Sequence, residues 1–275
     1  MERKLVRQGR NALTVTLPAK WLRKRGLEAG DVIKVLEKGN SLRITTDTRQ
    51  KPEQIKLDLR NHERNATYHK IIGAYVQGYD KILVQFDDIM LVQEVANILL
   101  GMIVEEYGKD SLTISSIISV PEDNFAKVLR RATHLLTQQA KLLVDIALGD
   151  GTLVQMKEQE HVLDYNLRYC MRYINKYLRD SDSYKQFLLC ATLESAGDLL
   201  SGVGKCIGKD VLLAKNISKM IDIFTECLFT KDFMKVYTSL MAFRRGLEQK
   251  KFVHGLCFCL EELLYDNLGL FIERK

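Results

Sequence analysis

Proline placement constrains this chain more than any other feature. It has only three prolines, Pro18, Pro52 and Pro121, and residues 122–275 contain none. Proline lacks the N–H an internal helical turn needs and clashes with the preceding turn, so a long proline-free run is open to long helices. Pro52 and Pro121 separate blocks of different composition, which predicts boundaries near 47–53 and 119–122. At 275 residues the chain is long enough for two or three domains. The expected architecture is multi-domain and mainly α: a β-rich module over 1–47, a small α/β connector over 53–120 and a helical bundle over 122–275. No run of about eighteen uninterrupted apolar residues occurs, and the N-terminus has no signal-like apolar core, so a cytoplasmic protein with no membrane insertion is expected.

The first block is patterned within thirty residues. Leu13, Val15 and Leu17 alternate with Thr14 and Thr16, the period of a half-buried strand. Pro18 stands where a helix can begin and Gly26 where one can end. A turn at Gly30-Asp31 leads into another strand, and Gly39-Asn40 marks a hairpin. Residues 1–46 hold eleven Lys or Arg against four Asp or Glu, a net of +7 where the whole chain carries +6. The excess positive charge is therefore confined to this module. A solvated basic face is the plainer account, and a polyanionic partner the more specific one.

Arg7, Gly9, Arg10, Thr14, Leu17, Pro18, Gly26, Leu27, Gly30, Asp31 and Val35 fall at the spacing of the AbrB/MazE/SpoVT modules, which residues 3–46 resemble. The resemblance implies a swapped-hairpin β-barrel formed by two chains, hence a homodimer. It also implies DNA contacts from Arg3, Lys4, Arg7 and Arg10, with Arg23, Lys24 and Arg25 reaching phosphates. Some members of that family are antitoxins, but the long remainder of this chain argues against that role. A module of this size is near the lower limit for folding alone, which gives oligomerisation a physical reason.

The middle block reads as strand, helix, strand, helix, strand: an alternating segment at 55–59, a helix over 62–77, a strand from Ile82, a helix over 89–107 and a β-branched strand over 112–118. It contains no glycine-rich phosphate loop and no nucleophile–base arrangement, and an enzyme is not expected. Six cysteines lie mostly in the apolar helical patterns and read as buried thiols, because Cys257-Phe258-Cys259 has no second Cys pair or directly neighbouring His to complete a metal site.

Six helices are expected after Pro121: 122–148, 152–179, 183–206, 210–229, 231–249 and 252–273. Phe125, Val128, Leu129, Ala132 and Leu136 form a bundle stripe, and the short breaks imply antiparallel neighbours. Glu194-x-x-x-Asp198 recurs as Glu262-x-x-x-Asp266, and Glu160-x-x-x-Asp164 lies on the helix before the first. Each pair places two carboxylates one turn apart on one face, where they repel unless a positive group covers them. A bound cation, Arg or Lys partners, and hydration all remain open.

Leu193-Glu194…Gly197-Asp198, the looser second copy and the three-helix spacing resemble the PhoU family. With the N-terminal module, the whole resembles its archaeal phosphate-uptake regulators. The resemblance implies a bundle of two three-helix repeats and metal ions (Mg, Mn, Ca, Zn or Fe) on Glu160, Asp164, Glu194 and Asp198, with Glu262 and Asp266 as a second set. Arg244-Arg245 departs from that pattern and makes a salt-bridged relic the alternative at the second set. The function expected is a DNA-binding transcriptional regulator of phosphate uptake whose bundle senses a metal or a partner. The alternative is a PhoU-like adaptor that does not bind DNA but docks on a phosphate transporter or sensor kinase.

Overall fold

A computed structural model describes residues 2–10, 12–38, 41–46, 52–117, 122–178, 183–230, 232–247 and 252–267. The Gly39-Asn40 turn, Pro121, the breaks at 179–182 and 250–251, and the expected end of the last helix at 273 lie outside these residues. The chain divides into two compact units, residues 1–53 and 54–275. It is mainly α, with a small N-terminal strand region and a helical C-terminal region.

Among its described residues the first unit holds two antiparallel strand pairs and one short helix. Strand β1 (Val6–Gln8) pairs with β2 (Ala12–Thr14), and β3 (Ile33–Lys38) pairs with β4 (Ser41–Thr46). Between them lies helix α1 (Ala19–Arg25), which starts after Pro18 and stops at Gly26. Gly26 adopts φ +62°, and its N–H and that of Leu27 return to the carbonyls of Arg23 and Leu22. A left-handed residue of this kind closes a helix and favours glycine because it has no Cβ. Asp31 then closes the next turn, its carboxylate accepting the Glu28 N–H at 2.7 Å.

The second unit begins with a four-stranded sheet in the order β5-β6-β8-β7. Strands β5 (Gln54–Asp58) and β6 (Lys81–Gln85) are parallel, joined by helix α2 (Arg64–Gln77). Helix α3 (Ile89–Asn97) follows, then β7 (Met102–Tyr107) and β8 (Ser111–Ser116) as an antiparallel hairpin. Ile71, Tyr75, Val92 and Val95 of the helices and Ile82, Val84, Leu112 and Ile114 of the sheet share one core.

One expectation fails here. The helix predicted over 89–107 ends at Asn97, and its second half is strand β7. Gly101, at φ +79°, turns the chain, after which Met102 and Val104 face the core while Ile103 and Glu105 point away. Glu105, expected at a helix end, instead accepts from Lys81 and from the Ser115 hydroxyl across the sheet. Short apolar runs fit either period, and here the glycine and the β-branched pair Ile103-Val104 decide for strand.

The remaining helices are α4 (Glu122–Leu148), α5 (Leu153–Tyr173), α6 (Ser183–Gly204), α7 (Val211–Thr230), α8 (Phe233–Arg245) and α9 (Phe252–Asp266). Helix α5 runs on through a π-helical stretch, Ile174–Leu178. Helix α4 packs against α5, α6 and α7, α6 packs against α5 and α9, and α8 lies against α7 and α9. Gly151 ends the α4–α5 turn where a Cβ would lie 2.9 Å from the Ile146 nitrogen. Thr152 and Gln155 then form a reciprocal capping box that starts α5.

Phe125, Ala132 and Leu136 are buried in the bundle core as the stripe predicts, with Val128 and Leu129 packed against it. Among the described helices, only α6 is long and apolar enough to cross a membrane. Half of that apolar window is buried inside the bundle. All six cysteines are free thiols; four are buried, but Cys206 and Cys259 are exposed, against the expectation of buried thiols throughout. Cys257 points inward while Cys259, two positions on, is exposed, so the helix directs the two sulfurs apart.

Candidate functional site

The basic positions of the first unit converge on its first hairpin and helix. Arg3 and Lys4 lead into β1, Arg7 lies in β1 directly opposite Leu13, and Arg10 follows Gly9 in the connecting turn. Gly9 has φ +76°, which the turn requires and glycine accepts without strain. Thr14 donates its hydroxyl to the Val6 carbonyl at 3.2 Å, fixing the pairing from its open end. Arg23, Lys24 and Arg25 occupy the last turn of α1, where cations complement the helix dipole. Arg3, Lys4, Arg7, Arg10 and Arg23 are exposed, and Arg25 is half-buried. Among the described residues no carboxylate is paired with any of the five exposed cations.

The apolar side of the same unit is open. Arg7 and Leu13 share one face of the first hairpin with Leu5 and Val15, and Val35 and Leu42 lie on one face of the second. Leu13 is 62% exposed, Val35 52%, Leu42 70% and Val32 86%. No described side chain of this unit is buried. The strands thus have the alternation of a core-forming sheet without a core inside the single chain.

In the second unit the predicted carboxylates of α5 and α6 do come together. Asp164 feels the charges of Glu194, Asp198 and Glu160, and Asp198 feels those of Glu160 and Glu194. Gly197 explains how close the helices run: a Cβ there would sit 2.6 Å from Leu163 Cδ2. A cation from the protein itself lies among the acids. Arg168 donates from Nη2 to Asp164 Oδ2 at 2.8 Å and from Nε to Glu194 Oε1 at 3.2 Å. Its Nη1 donates to the Tyr68 hydroxyl of α2 at 2.6 Å. Burial pushes the Asp164 carboxyl up to about 7 against the pull of Arg168, and the neighbouring Glu194, Asp198 and Glu160 push in the same direction as burial. Burial first, then Glu160 and Glu194, also raise Asp198 above the usual carboxylate range.

The second carboxylate set has a related solution. Glu262 and Asp266 face outward, while the neighbouring Glu261 is fully buried. Arg244 of α8 lies 3.7 Å from Glu261 Oε2 and 3.5 Å from Glu262 Oε1, and its guanidinium stands 4.4 Å from the Phe258 ring centre. Burial pushes the Glu261 carboxyl up while Arg244 pulls it down. Of the readings the sequence left open, arginine partners are the ones seen at both places. A divalent metal needs several oxygen ligands arranged around it. Among the described residues no three His, Cys, Asp or Glu groups converge in that way. The Arg168 guanidinium thus takes the place between Asp164 and Glu194 that a shared cation would occupy.

Arg168, Tyr68, Arg244 and Glu261 were not among the predicted site residues. A signal for the first exists: Arg168, Arg172 and Lys176 recur every four residues along the end of α5 and its π-helical continuation. That row lies along α2, with Arg168 at Tyr68 near its start and the rest at its C-terminal end. Arg172 donates to the Tyr75 carbonyl at 2.7 Å, Asn175 donates to the Val76 carbonyl at 2.9 Å, and Lys176 pairs with Asp80. These carbonyls belong to the last turn of α2, which has too few partners within its own helix.

Residues 6–54 match the family described as "Antidote-toxin recognition MazE, bacterial antitoxin". No curated protein and no solved structure matches the chain. The similarity therefore covers the basic N-terminal unit, and the α/β layer and helices stand on their own geometry.

Proposed function

We propose that this protein is a DNA-binding regulator that works as a pair of chains. Two copies close their N-terminal hairpins over a shared apolar interior and present two sets of Arg3, Lys4, Arg7, Arg10, Arg23, Lys24 and Arg25 to the phosphate backbone. The observation that carries this reading is that exposed cations without a paired carboxylate and exposed apolar strand faces occur together in one small module. A monomeric domain rarely leaves that much of its strand surface uncovered, whereas a two-chain barrel buries it. The match of residues 6–54 to a MazE antitoxin family supports the same assignment, because it agrees with the resemblance to AbrB/MazE/SpoVT modules.

The regulated process is read as phosphate uptake, on the resemblance of the helical block to PhoU proteins, with the bundle as the part that receives the signal. A phosphate transporter or sensor kinase is the partner that resemblance implies. Fluorescence anisotropy of the full-length protein on its own upstream DNA, titrated with salt, tests the assignment. Binding should weaken steeply as salt rises, because neutralised phosphates release counterions. Arg7→Glu/Arg10→Glu should abolish it. Equal weak binding by both proteins would instead leave an adaptor that does not bind DNA.

A further inference from the structure

We infer that Arg168 is the permanent counter-cation of the α5–α6 carboxylate face, and that it makes this face a tether for helix α2 instead of a divalent-metal centre. Its guanidinium has three partners on three helices: Asp164 on α5, Glu194 on α6 and Tyr68 on α2. The planar fork of arginine suits this, since each N–H points at a different acceptor and the charge cannot be lost by deprotonation. The arrangement is enclosed, with the Arg168 side chain 13% exposed and that of Asp164 10%. A metal entering here would have to displace the guanidinium and leave its charge beside its own.

The other carboxylate set repeats the device. Arg244, on the helix preceding α9, stands against Glu261 and Glu262 as Arg168 stands against Glu194. One arginine from the preceding helix therefore meets the acidic helix in both places. The difference lies in what else is held. Arg244 stacks on Phe258 of α9, whereas Arg168 reaches Tyr68, one hundred residues away in sequence. Only the first site ties the bundle to the α/β layer. Breaking it should therefore be felt at α2.

Two measurements on the full-length protein test this. Calorimetric titration with Mn²⁺ compares wild type, the double variant Glu194→Gln/Asp198→Asn, Arg168→Ala and the triple variant Arg168→Ala/Glu194→Gln/Asp198→Asn. Any Mn²⁺ taken up by wild type should be unaffected by Glu194→Gln/Asp198→Asn. Arg168→Ala should gain a site that the triple variant loses. Amide hydrogen exchange then reads residues 64–77. Removing charge-assisted hydrogen bonds should speed exchange there by about tenfold or more in Arg168→Ala. Glu194→Gln keeps the arginine and should give a smaller rise in the same segment, which covers the case in which Arg168→Ala does not fold. Wild-type Mn²⁺ binding that Glu194→Gln/Asp198→Asn removes would overturn the exclusion of metal. Unchanged exchange in α2 in both Arg168→Ala and Glu194→Gln would overturn the tether.

Discussion

At Asp164 burial, aided by Glu194, Asp198 and Glu160, opposes the adjacent guanidinium and outweighs it. Folding therefore raises its pKa from the ordinary 3.8 to about 7, so the native state holds the proton more tightly than the unfolded chain. The stability linked to this group is fully present below pH 3.8 and is lost as pH rises through about 7. Urea midpoints from about pH 5 to pH 8 should fall for wild type relative to Asp164→Asn; parallel curves would refute the assignment. Gly197 offers a steric prediction. Gly197→Ala drives a methyl into Leu163 and should cost about 1–3 kcal/mol in chemical denaturation. The sequence showed the carboxylate spacing, because i, i+4 periodicity is local. It did not show that Arg168 closes the gap, since that depends on where α6 and α2 come to lie. Nor did it distinguish Glu261 from Glu262, because one helical step decides which of the two is buried.

Element boundaries followed from turn chemistry wherever glycine or proline marked them. Pro18 and Gly26 bracket α1, and α4 to α7 lie close to their predicted spans, because apolar periodicity over twenty residues is a strong signal, whereas α8 stops at Arg245, short of the predicted 249. The α3–β7 segment was misread because nine residues of helix and six of strand leave too little pattern for either period. The seating of α2 on α5 was also hidden. It rests on side chains donating to main-chain carbonyls, which no residue pattern in α2 announces. Arg172 is 6% exposed, donates to the Tyr75 carbonyl and stacks 4.9 Å from the Tyr75 ring centre. Arg172→Met keeps length and loses the donors, and should destabilise the second unit by about 1–3 kcal/mol in urea unfolding.

At the scale of the whole molecule, charge and uncovered apolar surface coincide in residues 1–53, and both enter the DNA reading. If four arginines of a paired module touch phosphate, Arg7→Gln/Arg10→Gln should reduce the salt slope of DNA binding by about 3 to 4. Val35→Asp/Leu42→Asp should shift sedimentation from dimer toward monomer while far-ultraviolet helix signal persists, because the bundle has its own core. Loss of the helix signal together with the dimer would mean that the bundle depends on pairing. On the proposed reading, a module that acquires its interior only by meeting its twin also behaves as a dosage meter. In the dilute limit the paired species varies with the square of chain concentration, so halving synthesis lowers the DNA-competent form about fourfold. Operator occupancy would then respond to how much of the protein the cell makes before any signal reaches the helices.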